Sequence, residues 1–290
     1  MAPIIGMLMP GDMGHGVGQA LITSGYDVIT ALEGRSAHTQ GLAATAGLRD
    51  VGSITNVVKE AGLILSIVPP NVAVDQAQNV GAAMLETGAR PTYVDCNAIS
   101  PMSAEKVKAA LPEDVNFIDS GIIGLNPIKS PPTRFYVSGP DCSAMEALKC
   151  EAIKVTKISE EIGKASALKM VYAAGTKGLS TLQTAQLLTA QQQGVLEPLL
   201  EELQYSQAEN LMRMRNRIPF LPADSKRWVP EMQEIAATFK ASDVPDGFHN
   251  GAAEVFAILA KTPFAAETRQ TLDKSRTLEQ ALAEYAKHLN

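Results

Sequence analysis

The sequence has 290 residues, 46% of them hydrophobic and 19% charged, a balance that excludes a disordered chain and leaves room for two domains. Its formal net charge of −6 argues against chain-wide attraction to nucleic acid or an anionic membrane, so the expected partner is a small molecule. The three cysteines, Cys96, Cys142 and Cys150, have neither a paired spacing nor nearby histidines, which points away from a disulfide framework and from a zinc site; no metal is expected.

The chain opens on an apolar run from Pro3 to Pro10. That run is too short to span a bilayer and lacks the basic flank of a secretion signal, which gives an expectation of a cytoplasmic protein with no membrane partner. Ile4 to Met9 predicts the first strand, and comparable runs follow at Asp27 to Leu32, Leu63 to Val68, Thr92 to Cys96, Asn116 to Ile118 and Arg134 to Ser138. Stretches such as Gly14 to Ser24 and Asn71 to Glu86 are long enough for crossover helices, so the first part reads as a parallel α/β sheet. From about Lys164 onward Ala, Leu, Gln, Glu and Met dominate and strand signals cease. A long helix is predicted over 166–193, and the expected domains are residues 1–162, binding a dinucleotide, and residues 163–290, helical and serving substrate binding and dimerisation.

The first strand runs into Met9-Pro10-Gly11-Asp12-Met13-Gly14. A dinucleotide-binding turn uses glycines to turn tightly, to approach the pyrophosphate and to let the helix pack on the strand. Gly11 and Gly14 stand where the second and third glycines belong, and Met9 takes the place of the first. Gly11, Asp12, Met13 and Gly14 are therefore the candidate pyrophosphate contacts; His15 is assigned no chemistry. The second predicted strand ends at Glu33-Gly34-Arg35-Ser36, about 20 residues further on, where the adenosine ribose is read. Glu33 suits the ribose hydroxyls of NAD, whereas Arg35 and Ser36, with Thr39, suit the extra phosphate of NADP. NADP is the favoured cofactor, with NAD as the alternative.

With these motifs in order, the chain resembles the β-hydroxyacid dehydrogenase superfamily, which includes hydroxyisobutyrate, tartronate semialdehyde and phosphogluconate dehydrogenases. Gly6 to Gly14 resembles its glycine loop. Ser66-Ile67-Val68-Pro69-Pro70 is similar to the strand end beside the nicotinamide, and Val94 to Pro101 to the next strand end. The resemblance implies a Rossmann-type doubly wound parallel sheet followed by an all-helical C-terminal domain, a homodimer, and cofactor contacts from Val68, Pro69 and Asn97. Asp119-Ser120-Gly121-Ile122-Ile123-Gly124 is similar in part to the family's substrate motif, which makes Ile122, Ile123 and Gly124 candidate substrate contacts. Gly163 to Lys169 is similar to the catalytic motif and aligns Lys169 with its lysine.

Two departures bear on substrate. Ala173 stands where the family has an asparagine four residues after the lysine, and Ile123-Gly124-Leu125 where it has Ser-Gly-Gly. Helical spacing puts Tyr172 and Thr176 on the face of Lys169, as hydrogen-bonding substitutes for the missing amide. The implied activity is NADP-dependent hydride transfer between nicotinamide and an alcohol or carbonyl substrate, a β-hydroxyacid or a related hydroxy compound. The alternatives are an imine reductase-like enzyme and a non-catalytic NADP-binding protein.

Overall fold

The short apolar runs of the first half pair into a single eight-stranded sheet in the computed structural model, which describes residues 2–269 and 271–289. The strands are β1 (Ile5–Leu8), β2 (Val28–Thr30), β3 (Arg49–Asp50), β4 (Leu63–Ser66), β5 (Thr92–Asp95), β6 (Phe117–Ile123), β7 (Thr133–Ser138) and β8 (Ile153–Ser159). Their order is β3-β2-β1-β4-β5-β6-β7-β8. The first six run parallel, β7 is antiparallel to β6, and β8 is parallel to β7. Every residue of β1, β4 and β6 is buried, as a parallel sheet covered on both faces requires.

The covering helices are α1 (Gly14–Thr23), α2 (Ala37–Ala46), α3 (Ile54–Glu60), α4 (Ala73–Thr87), α5 (Pro101–Ala109) and the short α6 (Ser143–Glu146). Val17 and Leu21 of α1, Ala43 of α2 and Met145 of α6 share a core with Met7 and Leu65. Val57 of α3, Val80 of α4 and Val107 of α5 join a second core on the other face with Ile64 and Tyr93. The fold is a Rossmann-type doubly wound sheet. Strand order reverses direction between β1 and β4, and ligands in such sheets bind outside the strand carboxyl ends at that point.

Three differences from the sequence reading concern strands. β3 is a two-residue exposed strand, and β8 carries Lys154 and Lys157 among its β-branched residues; neither was anticipated. β6 runs on through Asp119 to Ile123, which the sequence reads as a loop. It does so because β7 pairs with it from Asp119↔Ser138 to Ile123↔Arg134.

The chain divides into two compact units, Met1–Met170 and Val171–Asn290. The sequence puts the join at 162 and 163, before the long helix; backbone proximity groups the first turns of that helix with the sheet. The helix begins as α7 (Lys164–Ala173), passes through a π turn at Ala174–Gly178 and continues as α8 (Leu179–Gln192). Five further helices follow: α9 (Leu196–Ser206), α10 (Ala208–Arg217), α11 (Pro222–Lys240), α12 (Gly247–Leu259) and α13 (Leu278–Ala286). Within the helical unit Met232, Ile235, Phe256 and Tyr285 are fully buried. Lys177 in the π turn pairs with the buried Glu231 of α11 and lies over the Trp228 ring, 5.6 Å from its centroid.

Among the described residues no helix is long and apolar enough to cross a membrane, and no group of side chains could hold a metal ion. The three cysteines are buried and free.

Candidate functional site

The turn after β1 solves the missing glycine in its backbone. Met9 adopts φ 56, the left-handed conformation that glycine reaches freely and that costs other residues roughly 1–2 kcal/mol. Gly11 then bonds back to the Met9 carbonyl at 2.8 Å. A Cβ on Gly14 would lie 2.8 Å from the Met9 oxygen, so only glycine lets α1 start this close to the strand. A Cβ on Gly11 would meet nothing within 4 Å, which leaves its outer face open to a ligand. Among the described residues, the N–H groups of Asp12 and Met13 have no backbone acceptor. Unsatisfied amides at the start of a ten-residue helix suit a pyrophosphate. His15 turns its Nδ1 back onto the Gly11 carbonyl at 2.8 Å, so it braces the turn.

Beyond β2, Gly34 at φ 69 turns the chain into α2. Ser36 caps that helix by accepting the Thr39 N–H at 3.3 Å, and its hydroxyl lies 3.1 Å from that of Thr39. Arg35 reaches towards α4, its Nη2 lying 3.5 Å from Gln76 Oε1, while its Nε is buried without a hydrogen-bond partner. A guanidinium beside a helix N-terminus is suited to a phosphate. Glu33 is exposed, at an open hollow of about 600 Å³ that Asp50 and Asn56 also line. The two carboxylates there suit ribose hydroxyls better than a phosphate.

At the strand ends, Asn97 is 2% exposed and its amide is already engaged. Its Oδ1 accepts the Val68 N–H at 2.6 Å and its Nδ2 donates to Ser66 Oγ at 3.3 Å. Asn97 thus holds Val68 and the following Pro69 in place.

Lys169 belongs to a tightly built unit made of β6, β7 and the first turns of α7. The fully buried Asp119 accepts Ser166 Oγ–H at 2.6 Å, Ser166 N–H at 3.0 Å and Ser138 Oγ–H at 2.9 Å. Ser138 Oγ in turn accepts the Ala165 N–H at 2.9 Å. Two amides at the N-terminus of α7 are therefore capped from the sheet. Burial pushes the Asp119 carboxyl above its ordinary range, against the pull of these hydrogen bonds. Gly121 lets the helix lie directly on β6, since a Cβ there would stand 2.7 Å from the Ala165 oxygen and 2.9 Å from Lys169 Cβ. In this position Lys169 Nζ donates to the Ile122 carbonyl at 2.8 Å.

Ile122 and Ile123 are strand residues, 7% and 4% exposed. Ile122 packs its side chain into the core, and what it presents towards Lys169 is its carbonyl. Gly124, at φ 134, is exposed where β6 ends. Tyr172 is exposed. The helical spacing used for Thr176 is interrupted, because the π turn begins at Ala174 and Thr176 donates its hydroxyl to the Ala173 carbonyl at 3.2 Å. Ser138, Ser166 and Gln76 had no signal in the sequence pattern. Asp119 was visible as the first residue of the stretch similar to the substrate motif, not as the acceptor that caps α7.

A family model described as the NAD binding domain of 6-phosphogluconate dehydrogenase matches residues 4–150. The chain belongs to that family. A second model, a Domain of unknown function (DUF1932), matches residues 190–259. Among solved structures, the chain is similar to a conserved protein of unknown function described as structurally similar to 3-hydroxyacid dehydrogenases. The identity is 28%, the match covers 88% of this chain and 96% of that one, and the TM-score is 0.64. It shares the fold of 3-hydroxyisobutyrate dehydrogenase from Mycobacterium tuberculosis, solved with L-serine, at 20% identity over 98% of this chain and 99% of that one, TM-score 0.67. It also shares the fold of an imine reductase from Myxococcus stipitatus, solved with NAD+, at 17% identity, with 98% and 99% covered and a TM-score of 0.51.

The family match covers the turn at Met9 to Gly14, the Glu33 to Ser36 stretch and β6, so the 6-phosphogluconate dehydrogenase type of domain accounts for the residues that suit a nicotinamide dinucleotide. Lys169 lies beyond it. The sheet nevertheless fixes that lysine through Asp119, Ser138 and Gly121, which the match includes.

Proposed function

We propose that this protein is an NADP-dependent oxidoreductase that moves a hydride between nicotinamide and an alcohol or carbonyl substrate, a β-hydroxyacid or a related hydroxy compound. The observation that carries this reading is Lys169, held by a capped helix with its Nζ 2.8 Å from the Ile122 carbonyl at the end of β6. The turn from Gly11 to Gly14 would hold the pyrophosphate, with Arg35 and Ser36 taking the 2′-phosphate and Val68 and Pro69 lying along the nicotinamide side. When bound, the nicotinamide supplies or accepts the hydride.

The chain's own part is to orient the substrate carbon and manage the hydroxyl proton. Lys169 donates that proton in reduction when charged and takes it in oxidation when neutral. Its present acceptor, a carbonyl, is one that a substrate oxygen would replace or share. Ile123 and Ala173 cannot donate hydrogen bonds, so the substrate relies less on a hydroxyl-bound carboxylate and more on apolar or larger contacts. The same two residues favour a second reading, reduction of an imine, which the shared fold with an imine reductase supports. Within the helical unit, Val171, Leu179 and Leu182 are exposed along one helix, which supports a homodimer; the location is cytoplasmic.

The test is a titration of the protein with NADPH and NADH at fixed ionic strength, followed by turnover on panels of hydroxy acids, ketones and imines. NADPH should bind more tightly, and Arg35→Ala should selectively weaken it by about 1.5–3 kcal/mol, the loss expected for a charge-assisted contact. Equal affinity for both nucleotides, unchanged in the variant, removes the argument for NADP. Binding without turnover on any panel would favour a non-catalytic protein.

A further inference from the structure

The loop between β6 and β7 reaches back to the dinucleotide turn through one side chain. Asn126 is 7% exposed, although Leu125 and Ile128 beside it are 55% and 47% exposed. Its Nδ2 donates to the Asp12 carbonyl at 2.6 Å, and its Oδ1 accepts the Ile128 N–H at 3.0 Å. The amide lies flat against the first turn of α1, where a Cβ on Gly16 would fall 2.1 Å from Oδ1 and 2.3 Å from Nδ2. Gly16 is therefore the residue that admits Asn126.

The Asp12 carbonyl and the Met13 N–H belong to one planar trans peptide and point in opposite directions. Fixing the oxygen from one side fixes the direction of the N–H on the other. That N–H is one of the turn amides with no backbone acceptor among the described residues.

We infer that Asn126 is a positioning residue: it aims the Met13 N–H at the dinucleotide pyrophosphate and so ties the β6–β7 loop, which follows the substrate stretch, to occupancy of the cofactor turn. The inference rests on the proposed reading that a nicotinamide dinucleotide lies on this turn. A pyrophosphate pulling on Met13 tightens the peptide against Asn126, and the loop orders in response.

The experiment compares wild type, Asn126→Ala, Gly16→Ala and the double variant by NADPH and NADH titration, by hydrogen exchange over residues 124–132 with and without NADPH, and by thermal unfolding. In wild type, NADPH should slow exchange of the Ile128 amide, which bonds directly to Asn126. Asn126→Ala should weaken NADPH and NADH alike, roughly tenfold each, because the pyrophosphate is common to both, and should abolish the cofactor effect on exchange. Gly16→Ala should reproduce this by displacing the amide with a methyl group. The double variant should be no worse than Asn126→Ala alone, since the three atoms nearest the added methyl group are then gone. Wild-type affinity in folded Asn126→Ala, additive losses in the double variant, or loop exchange indifferent to NADPH in wild type overturns the inference. Wild type that binds neither nucleotide overturns the cofactor reading with it, whereas binding by wild type with no loss in the variant overturns the Asn126 role alone.

Discussion

The cofactor turn and the substrate stretch both depart from their family pattern, and they absorb the departure differently. At the turn, Met9 replaces a glycine, yet φ 56 at that residue keeps the path of the chain, and the groups left open there are amides that no side-chain change removes. At the end of β6, Ile123 stands in place of a serine, and no backbone adjustment restores a lost hydroxyl. A site built from backbone survives substitution as long as the chain can follow its path. A site built from side chains takes a new ligand preference or loses its activity.

Three substitutions sharpen that contrast. The largest effect is expected for Asp119→Ala, which leaves the Ser166 and Ser138 donors and an α7 amide without their buried acceptor. Stability should fall by about 3 kcal/mol or more, and turnover should fall further than cofactor affinity, because the helix that carries Lys169 is unpinned. Denaturant unfolding and steady-state kinetics measure both; a variant with wild-type stability would show that the sheet does not hold α7 in this way. A smaller and selective effect is expected for Arg35→Ala, confined to NADPH. The smallest is expected for Met9→Gly. Relief of the left-handed strain, roughly 1–2 kcal/mol, is offset by the entropy of glycine, roughly 0.5–1 kcal/mol. Unfolding and NADPH affinity should therefore both stay within about 1.5 kcal/mol of wild type. A large loss of NADPH affinity in Met9→Gly would mean that the methionine side chain itself contacts the cofactor, and the contrast would break.

Much of the sheet was legible because its central strands are buried on both faces and read as continuous apolar runs, as at Leu63 to Ser66. β8 was not, since its lysines and half-buried faces give no such run. The extension of β6 was hidden for another reason. Asp119-Ser120-Gly121 has the composition of a loop, and it is a strand because β7 pairs along it, while Asp119 is spent on the start of α7 and Gly121 on the approach of that helix. Pattern reading brought Gly11, Gly14 and Arg35 to attention one by one, and the family resemblance brought Lys169. It could not show that Asn97 is committed to Val68, or that Asn126 meets a glycine in the first turn of α1, because these are contacts between segments far apart in the chain. The π turn was likewise beyond reach: Gly175 and Gly178 signal a weak helix, and the fold decides where the extra residue goes.

The most direct measurement of the central claim is a pair of values on Lys169→Ala, namely turnover on whichever substrate the wild type accepts and the dissociation constant for NADPH. A lysine that handles the substrate proton predicts turnover lowered by about 10²–10⁴-fold with NADPH affinity nearly intact. A folded Lys169→Ala protein that turns over like wild type would contradict it.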